Sequence, residues 1–133
     1  MVLDTSALVA VLQDEPERSR FIRLIDAADA CRLSAATLVE TSIVIEARFG
    51  AEGARDLDLF LSRAGVETVS VDAEQAQRAR HAFSRFGKGR YQAGLNFGDC
   101  FSYALATSLS EPLLFKGRDF ALTDVSQVLD LEE

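Results

Sequence analysis

The stretch MVLDTSAL, Met1–Leu8, predicts where the fold turns from strand to helix. Three apolar residues are followed by an acid and two hydroxyl residues, and an apolar helical pattern then runs from Ser6 to Leu12. We interpret this as a short buried strand that ends at Asp4, with a helix directly behind it. In an open parallel sheet, the carboxyl ends of the strands border the ligand-binding crevice. Asp4 is therefore either a helix cap or a metal ligand in that crevice, and other acids must decide between the two.

The composition indicates a single domain, residues 1–133. Hydrophobic residues make up 48% of the chain, and the formal net charge is −7. We find no apolar run near the roughly 20 residues that span a bilayer, and no secretory leader pattern, so a cytoplasmic protein without a membrane anchor is expected. Cys31 and Cys100 lack ligand-like spacing and are expected to be buried thiols. The single His81 disfavours a multi-histidine zinc site.

The negative charge bears on the partners that the protein can have. It disfavours a protein that holds nucleic acid through a broad basic surface. It does not exclude a nuclease whose metal ions link carboxylates to a phosphate, because bound cations then neutralise part of the charge.

Strand and helix patterns alternate along the chain. Strands are predicted at 1–4, 31–34, 66–71, 112–115 and 128–131. Helices are predicted from Ser6 to Leu12, Pro16 to about Ala28, Ser34 to a stop at Gly50, Gly53 to Ala64, Asp72 to Phe86, and Asp99 to Leu109. The helix that starts at Ser34 is rich in apolar residues and is expected to be largely buried. This alternation predicts an α/β fold with helices on both faces of a parallel sheet.

Three further acids are candidates for chemistry. Glu40 lies in an apolar helical run, where a carboxylate is usually either paired with an arginine or bound to a metal. Asp99 stands at a helix start, where capping alone is a sufficient explanation. Asp119 follows the strand at 112–115 by a few residues, as an ordinary turn aspartate also would. Asp72, with Gln75 three residues later, matches a capping box and needs no other role.

The acids are more informative together than singly. If the first and fourth strands are neighbours, Asp4, Asp99 and Asp119 converge at one end of the sheet and Glu40 lies on the adjacent helix. Clustered carboxylates stay ionised only with cations, and all-oxygen ligation selects Mg²⁺ or Mn²⁺. Such a site performs phosphate chemistry.

An ordered set of motifs over essentially the whole chain resembles a PIN domain, most closely the VapC toxins of bacterial toxin–antitoxin pairs. The set is LDTSA at 3–7, Glu40, GDC at 98–100 with YALA at 103–106, and PLLFKGRDF at 112–120. The resemblance implies a Mg²⁺- or Mn²⁺-dependent endoribonuclease with main acids at Asp4, Glu40 and Asp99 and a more variable fourth at Asp119. It also implies a three-layer α/β/α fold with a five-stranded sheet in order 3-2-1-4-5, a homodimer, and a small VapB-type antitoxin that blocks the site.

Several assignments stay open. Asp124 is an alternative to Asp119, which lies nearer the strand end, and Ser6 either bonds a metal ligand or only caps a helix. Four basic loop residues either steer RNA or are simply solvated: Lys88, Arg90, Lys116 and Arg118. The acids Glu15, Glu17, Asp56 and Asp58 are expected to form a solvated face.

Two other functions compete with the nuclease. A binding module on the same fold would bind RNA or a protein without cleavage. An aspartyl-phosphate protein is disfavoured, because Ser6 stands where such a phosphatase has its second aspartate.

Overall fold

The computed structural model describes residues 1–89 and 92–129. Its strands are β1 (Val2–Leu3), β2 (Arg32–Ser34), β3 (Glu67–Val69) and β4 (Leu113–Leu114). They form one parallel sheet in the order β3-β2-β1-β4. The predicted parallel sheet and the predicted adjacency of the first and fourth strands are confirmed.

The helices are α1 (Thr5–Leu12), α2 (Arg18–Ala27), α3 (Ala35–Arg63), α4 (Ala73–Phe86) and α5 (Phe97–Leu109), followed by a 3-10 turn at Phe120–Leu122. Gly50 interrupts the helical path of α3, because its backbone is non-helical and its φ of 66° lies in the positive range that favours glycine. The predicted break at Gly50 is confirmed, and the two helical segments on either side of it meet at a kink within α3.

The fifth predicted strand, 128–131, is not among the strands that the described residues form. Gln127 makes a single parallel bridge to Leu113. The Leu113 amide also donates to the Ser126 carbonyl over 2.8 Å. The chain thus runs beside β4 at the predicted edge, and residues 130 and 131 lie outside the described part.

The central strands are buried on both faces. Val2 and Leu113 pack into a core beneath α4 and α5, whereas Leu3 and Leu114 pack into a second core beneath α1 and α2. Successive side chains of a strand point to opposite faces, and all four of these are at most 3% exposed. The three-layer arrangement follows, and it leaves the carboxyl ends of β1 and β4 side by side.

The expectation that α3 is largely buried is wrong. Its inward stripe consists of Thr37, Thr41 and Ile45, whereas Val39 is 58% and Ile43 is 63% exposed. The apolar content of the helix therefore serves two faces, and the residues that point inward near its start carry hydroxyl groups. Over residues 1–89 and 92–129, no helix combines the length and apolar character needed to cross a membrane.

Candidate active site

Asp4 is both a helix cap and a buried carboxyl group. It follows β1, and its Oδ2 accepts hydrogen bonds from the Ser6 amide at 3.0 Å and the Ser6 hydroxyl at 2.6 Å. The other oxygen, Oδ1, accepts from the Ser102 hydroxyl of α5 at 2.6 Å. The residue is 2% exposed. Asp4 thus joins two elements, because one carboxylate oxygen caps α1 and the other bonds to α5.

Glu40 reaches the same end of the sheet from the second turn of α3. Its Oε1 accepts a hydrogen bond from the Thr5 hydroxyl at 2.6 Å, and Thr5 Oγ1 lies 2.9 Å from Thr41 Oγ1. A Cβ atom added at Gly98 would overlap the Glu40 carboxylate. The absence of a side chain at Gly98 thus lets Glu40 lie directly against the first turn of α5, next to Asp99.

Asp99 is the third residue of α5 and forms a capping box with Asn96. The Asn96 Oδ1 accepts from the Asp99 amide at 2.9 Å, and the Asp99 Oδ2 accepts from the Asn96 amide at 3.0 Å. The cap itself is Asn96, so α5 begins two residues earlier than predicted. Asp99 therefore takes part in capping from the third helical position and is not itself the N-cap.

The electrostatics of Asp99 join the four predicted acids. The pKa of Asp99 is raised to about 7, chiefly by burial and against the opposing effect of the hydrogen bond from Asn96. The negative charges of Asp4, Glu40 and Asp119 each contribute to this rise. Three carboxylates from other segments of the chain therefore act on Asp99.

Asp119 and Asp124 have different surroundings. Asp119 is exposed in the turn after β4, and its charge acts on Asp99. Asp124 accepts hydrogen bonds from the Tyr103 hydroxyl and from Arg85, and these contacts lower its pKa despite partial burial. Asp124 therefore ties α4 and α5 to the segment after the 3-10 turn.

Sequence reasoning missed the hydroxyl groups that hold the acids. Ser102 and Thr37 are fully buried, and their Oγ atoms lie 3.2 Å apart beneath Asp4. Beneath Glu40, Thr5 contacts the carboxylate and Thr41 contacts Thr5 in the same arrangement. Two signals pointed to them: Ser102 lies one turn after Asp99 in the sequence, and Thr37 and Thr41 form an i,i+4 pair within an apolar run.

Lys116, one of the four basic loop residues, forms ion pairs with acids of its own chain. The Lys116 amide donates to Ser6 Oγ at 2.9 Å, and the Lys116 ammonium pairs with Glu15 at 3.1 Å and Glu17 at 3.2 Å. Glu15 and Glu17 are thus half-buried ion-pair partners, not part of the solvated face that was expected of them. Asp56 and Asp58 are exposed, as are the candidate RNA-contacting residues Lys88 and Arg118; Arg90 lies outside the described residues.

The donor set is suited to a hard cation. All four acids offer carboxylate oxygen, and hydroxyl donors hold Asp4 and Glu40 in fixed orientations. In residues 1–89 and 92–129, however, no three acidic, histidine or cysteine side chains form a ready-made cage for an ion. An open site of this kind fits Mg²⁺, which proteins bind through one or two carboxylates while it keeps several waters.

Comparisons with known proteins agree with this architecture. The model of the PIN domain family matches residues 1–125. Ribonuclease VapC30 of Mycobacterium tuberculosis is 56% identical over 128 residues, which cover 96% of this chain and 98% of the relative. The crystal structure of VapC20 of M. tuberculosis, a toxin that cleaves the sarcin-ricin loop, superposes with a TM-score of 0.77 at 20% identity and covers 96% of this chain and 97% of that one. A toxin–antitoxin complex from Klebsiella pneumoniae contains a chain with a TM-score of 0.71 at 15% identity and 92% coverage of both chains.

Proposed function

The chain belongs to the PIN-domain family and, within it, to the VapC ribonucleases, and from this premise we propose that it is an endoribonuclease toxin whose activity requires Mg²⁺ or Mn²⁺. The observation that carries the proposal is the convergence of Asp4, Glu40, Asp99 and Asp119 on one site, seen in the effect of the other three charges on the pKa of Asp99. A carboxylate whose pKa is raised by burial and by neighbouring carboxylates favours a bound divalent cation, because the cation neutralises their charge.

Each acid has a distinct role in the proposal. Asp4 and Asp99 hold the principal cation, directly or through water, because Asp4 is buried and burial raises the pKa of Asp99. Glu40, held by Thr5, positions the attacking water or a second cation. Asp119, in the exposed turn, completes the outer part of the site. When bound, the cation supplies a water of lowered pKa and neutralises charge on the phosphate.

The chemistry predicts the ends of the RNA fragments. Water attacks the phosphorus in line with the departing 3′ oxygen, so the fragments carry 5′-phosphate and 3′-hydroxyl ends. The ribose 2′-hydroxyl takes no part as the nucleophile. Because Lys116 is paired with Glu15 and Glu17, the exposed Lys88 and Arg118 are better placed to contact the RNA backbone.

We also assign the protein an antitoxin partner and a dimeric state. A small VapB-type antitoxin that covers the site is proposed because a structural neighbour is a toxin–antitoxin complex. Exposed apolar side chains are available for a second copy on α3, at Val39 and Ile43, and on α5, at Phe97. Such exposed apolar groups favour protein contacts over solvent.

The test is cleavage of a mixed cellular RNA pool by purified, antitoxin-free protein. Parallel reactions contain Mg²⁺, Mn²⁺ or a chelator. We expect fragments with 5′-phosphate ends in both metal reactions and none with the chelator. If fragments form equally well with the chelator, the metal-dependent mechanism is wrong. If no reaction yields fragments, the protein is better explained as a binding module on the same fold.

A further inference from the structure

The hydroxyl groups beneath the acids have a single possible direction of hydrogen bonding. A serine or threonine hydroxyl carries one proton and donates one hydrogen bond. Ser102 spends its proton on Asp4 Oδ1, a carboxylate oxygen that can only accept. The 3.2 Å contact between Thr37 and Ser102 must therefore run from the Thr37 hydroxyl to Ser102 Oγ.

The same argument applies beneath Glu40. Thr5 donates its proton to Glu40 Oε1, so the contact between Thr41 and Thr5 runs from Thr41 to Thr5. Two chains of donors result, one from Thr37 through Ser102 to Asp4, and one from Thr41 through Thr5 to Glu40. Both chains start on the inward stripe of α3.

Burial separates these hydroxyls from ordinary surface groups. Thr37, Thr41 and Ser102 are each 0% exposed, in positions that face the protein interior. A buried hydroxyl carries a desolvation cost that an alanine or valine in its place would avoid. The contacts that offset this cost lead to Asp4 and Glu40, which links the hydroxyls to the site rather than to packing alone.

We propose that Thr37 and Ser102 are positioning residues for Asp4, and that their donor chain fixes the orientation in which this carboxylate receives a divalent cation. The inference rests on the proposed function, since it assigns a cation to Asp4. With Ser102 on Oδ1 and Ser6 on Oδ2, rotation of the carboxylate would break a hydrogen bond of 2.6 Å on either side. The lone pairs that these donors leave free then keep a constant direction toward the site. Hydrogen bonds from outside the ligand sphere orient metal ligands in this way.

The experiment measures Mn²⁺ binding by titration calorimetry on the full-length, antitoxin-free protein. Ser102→Ala removes the donor to Asp4. Thr37→Val removes the hydroxyl and keeps the shape of the side chain, whereas Thr37→Ser keeps the hydroxyl and removes the methyl group. Thr107→Val is the matched control, because the Thr107 hydroxyl bonds only to backbone carbonyls of α5, those of Tyr103 and Ala104.

We expect Ser102→Ala to weaken Mn²⁺ binding by about tenfold or more, the size found for lost outer contacts of metal ligands. Thr37→Val should weaken it in the same direction by less, and Thr37→Ser and Thr107→Val should bind as the wild type does. RNA cleavage by Ser102→Ala should recover in part when Mn²⁺ is raised. A purely structural role would not produce this recovery.

Two results overturn the inference. One is a folded Ser102→Ala protein, judged by circular dichroism, with wild-type affinity for Mn²⁺. The other is a loss of affinity in Thr37→Ser equal to that in Thr37→Val, which would assign the effect to the methyl group. Either result leaves the proposed function intact. A wild-type protein that binds no Mn²⁺ and cleaves no RNA would overturn the proposed function, and the inference with it.

Discussion

At the scale of single residues, Asp99 meets two opposed demands. Its carboxylate accepts a hydrogen bond from the Asn96 amide, which favours the charged form, and its burial beside other acids favours the neutral form. Burial prevails and raises the pKa to about 7. In the metal-free protein, the charged form of Asp99 is therefore destabilising, although the proposed function needs that form to bind a cation.

This conflict predicts a pH-dependent stability of the metal-free protein. The pKa of an aspartate in an unfolded chain is about 3.9, whereas the pKa of folded Asp99 is about 7. Its contribution to stability is therefore fully present below the unfolded value and is lost as the pH rises through the folded value. With a chelator present, the melting temperature should fall between about pH 4 and about pH 7, and it should fall less in Asp99→Asn. Equal falls in the two proteins would contradict this account.

Gly98 provides a test of Glu40 that leaves all four acids in place. A methyl group at this position would occupy the space of the Glu40 carboxylate. In a helix, alanine is otherwise preferred over glycine by about 1 kcal/mol. We expect Gly98→Ala to lower the rate of RNA cleavage by at least about tenfold, while circular dichroism shows an intact fold. Wild-type cleavage by this variant would show that the position of Glu40 is not critical.

At the scale of elements, the N-terminus of α5 connects stability to the site. Asn96 caps the helix and also donates its backbone amide to Asp99. Asp72 caps α4 in a similar way, because its carboxylate accepts a hydrogen bond from the Gln75 amide. That bond involves none of the four acids of the site. The two caps are thus a natural pair for separating a local helix effect from an effect on the site.

Removal of either cap should lower the stability by a similar amount, but only removal of the α5 cap should lower the activity. Asn96→Ala and Asp72→Ala should each lower the free energy of unfolding by about 0.5–2 kcal/mol in urea denaturation. Only Asn96→Ala should also slow RNA cleavage, since it loosens the turn that carries Asp99. Equal cleavage rates in the two variants would separate the cap of α5 from the site.

The sequence predicted the elements better than it predicted their contacts. The strand before Asp4 and the cap at Asp72 follow from local patterns, because alternating burial and capping act over a few residues. The exposure of Ile43 could not be predicted from the sequence, because an apolar helix face has the same residue pattern whether it packs in the core or lies at the surface. Ser102 and Thr37 were missed because serine and threonine suit many positions, and only the folded chain brings them beneath Asp4.

At the scale of the whole molecule, the acidic site belongs to a chain with a net charge of −7. Such a chain does not attract RNA over its general surface, so the proposed function requires that local basic residues and bound cations hold the RNA. The exposed apolar residues of α3 and α5 give the molecule a separate surface for other protein chains.

The dimer is testable on α3. Ile43 is 63% exposed, and a charge there would be costly to bury between two subunits. We expect light scattering to show a dimer for the wild type and a monomer for Ile43→Glu, with an unchanged circular dichroism spectrum. A variant that remains dimeric would place the contact on another surface.

We propose that Asp4, Glu40, Asp99 and Asp119 form a metal-dependent ribonuclease site. The most direct measurement compares RNA cleavage by Asp4→Asn and Asp124→Asn with that by the wild type, at equal concentrations of Mn²⁺. Asp124 is the matched control, because it is an aspartate bonded to Tyr103 and Arg85. The account predicts that Asp4→Asn folds and loses cleavage, whereas Asp124→Asn keeps it. Cleavage by Asp4→Asn at the wild-type rate would contradict the claim.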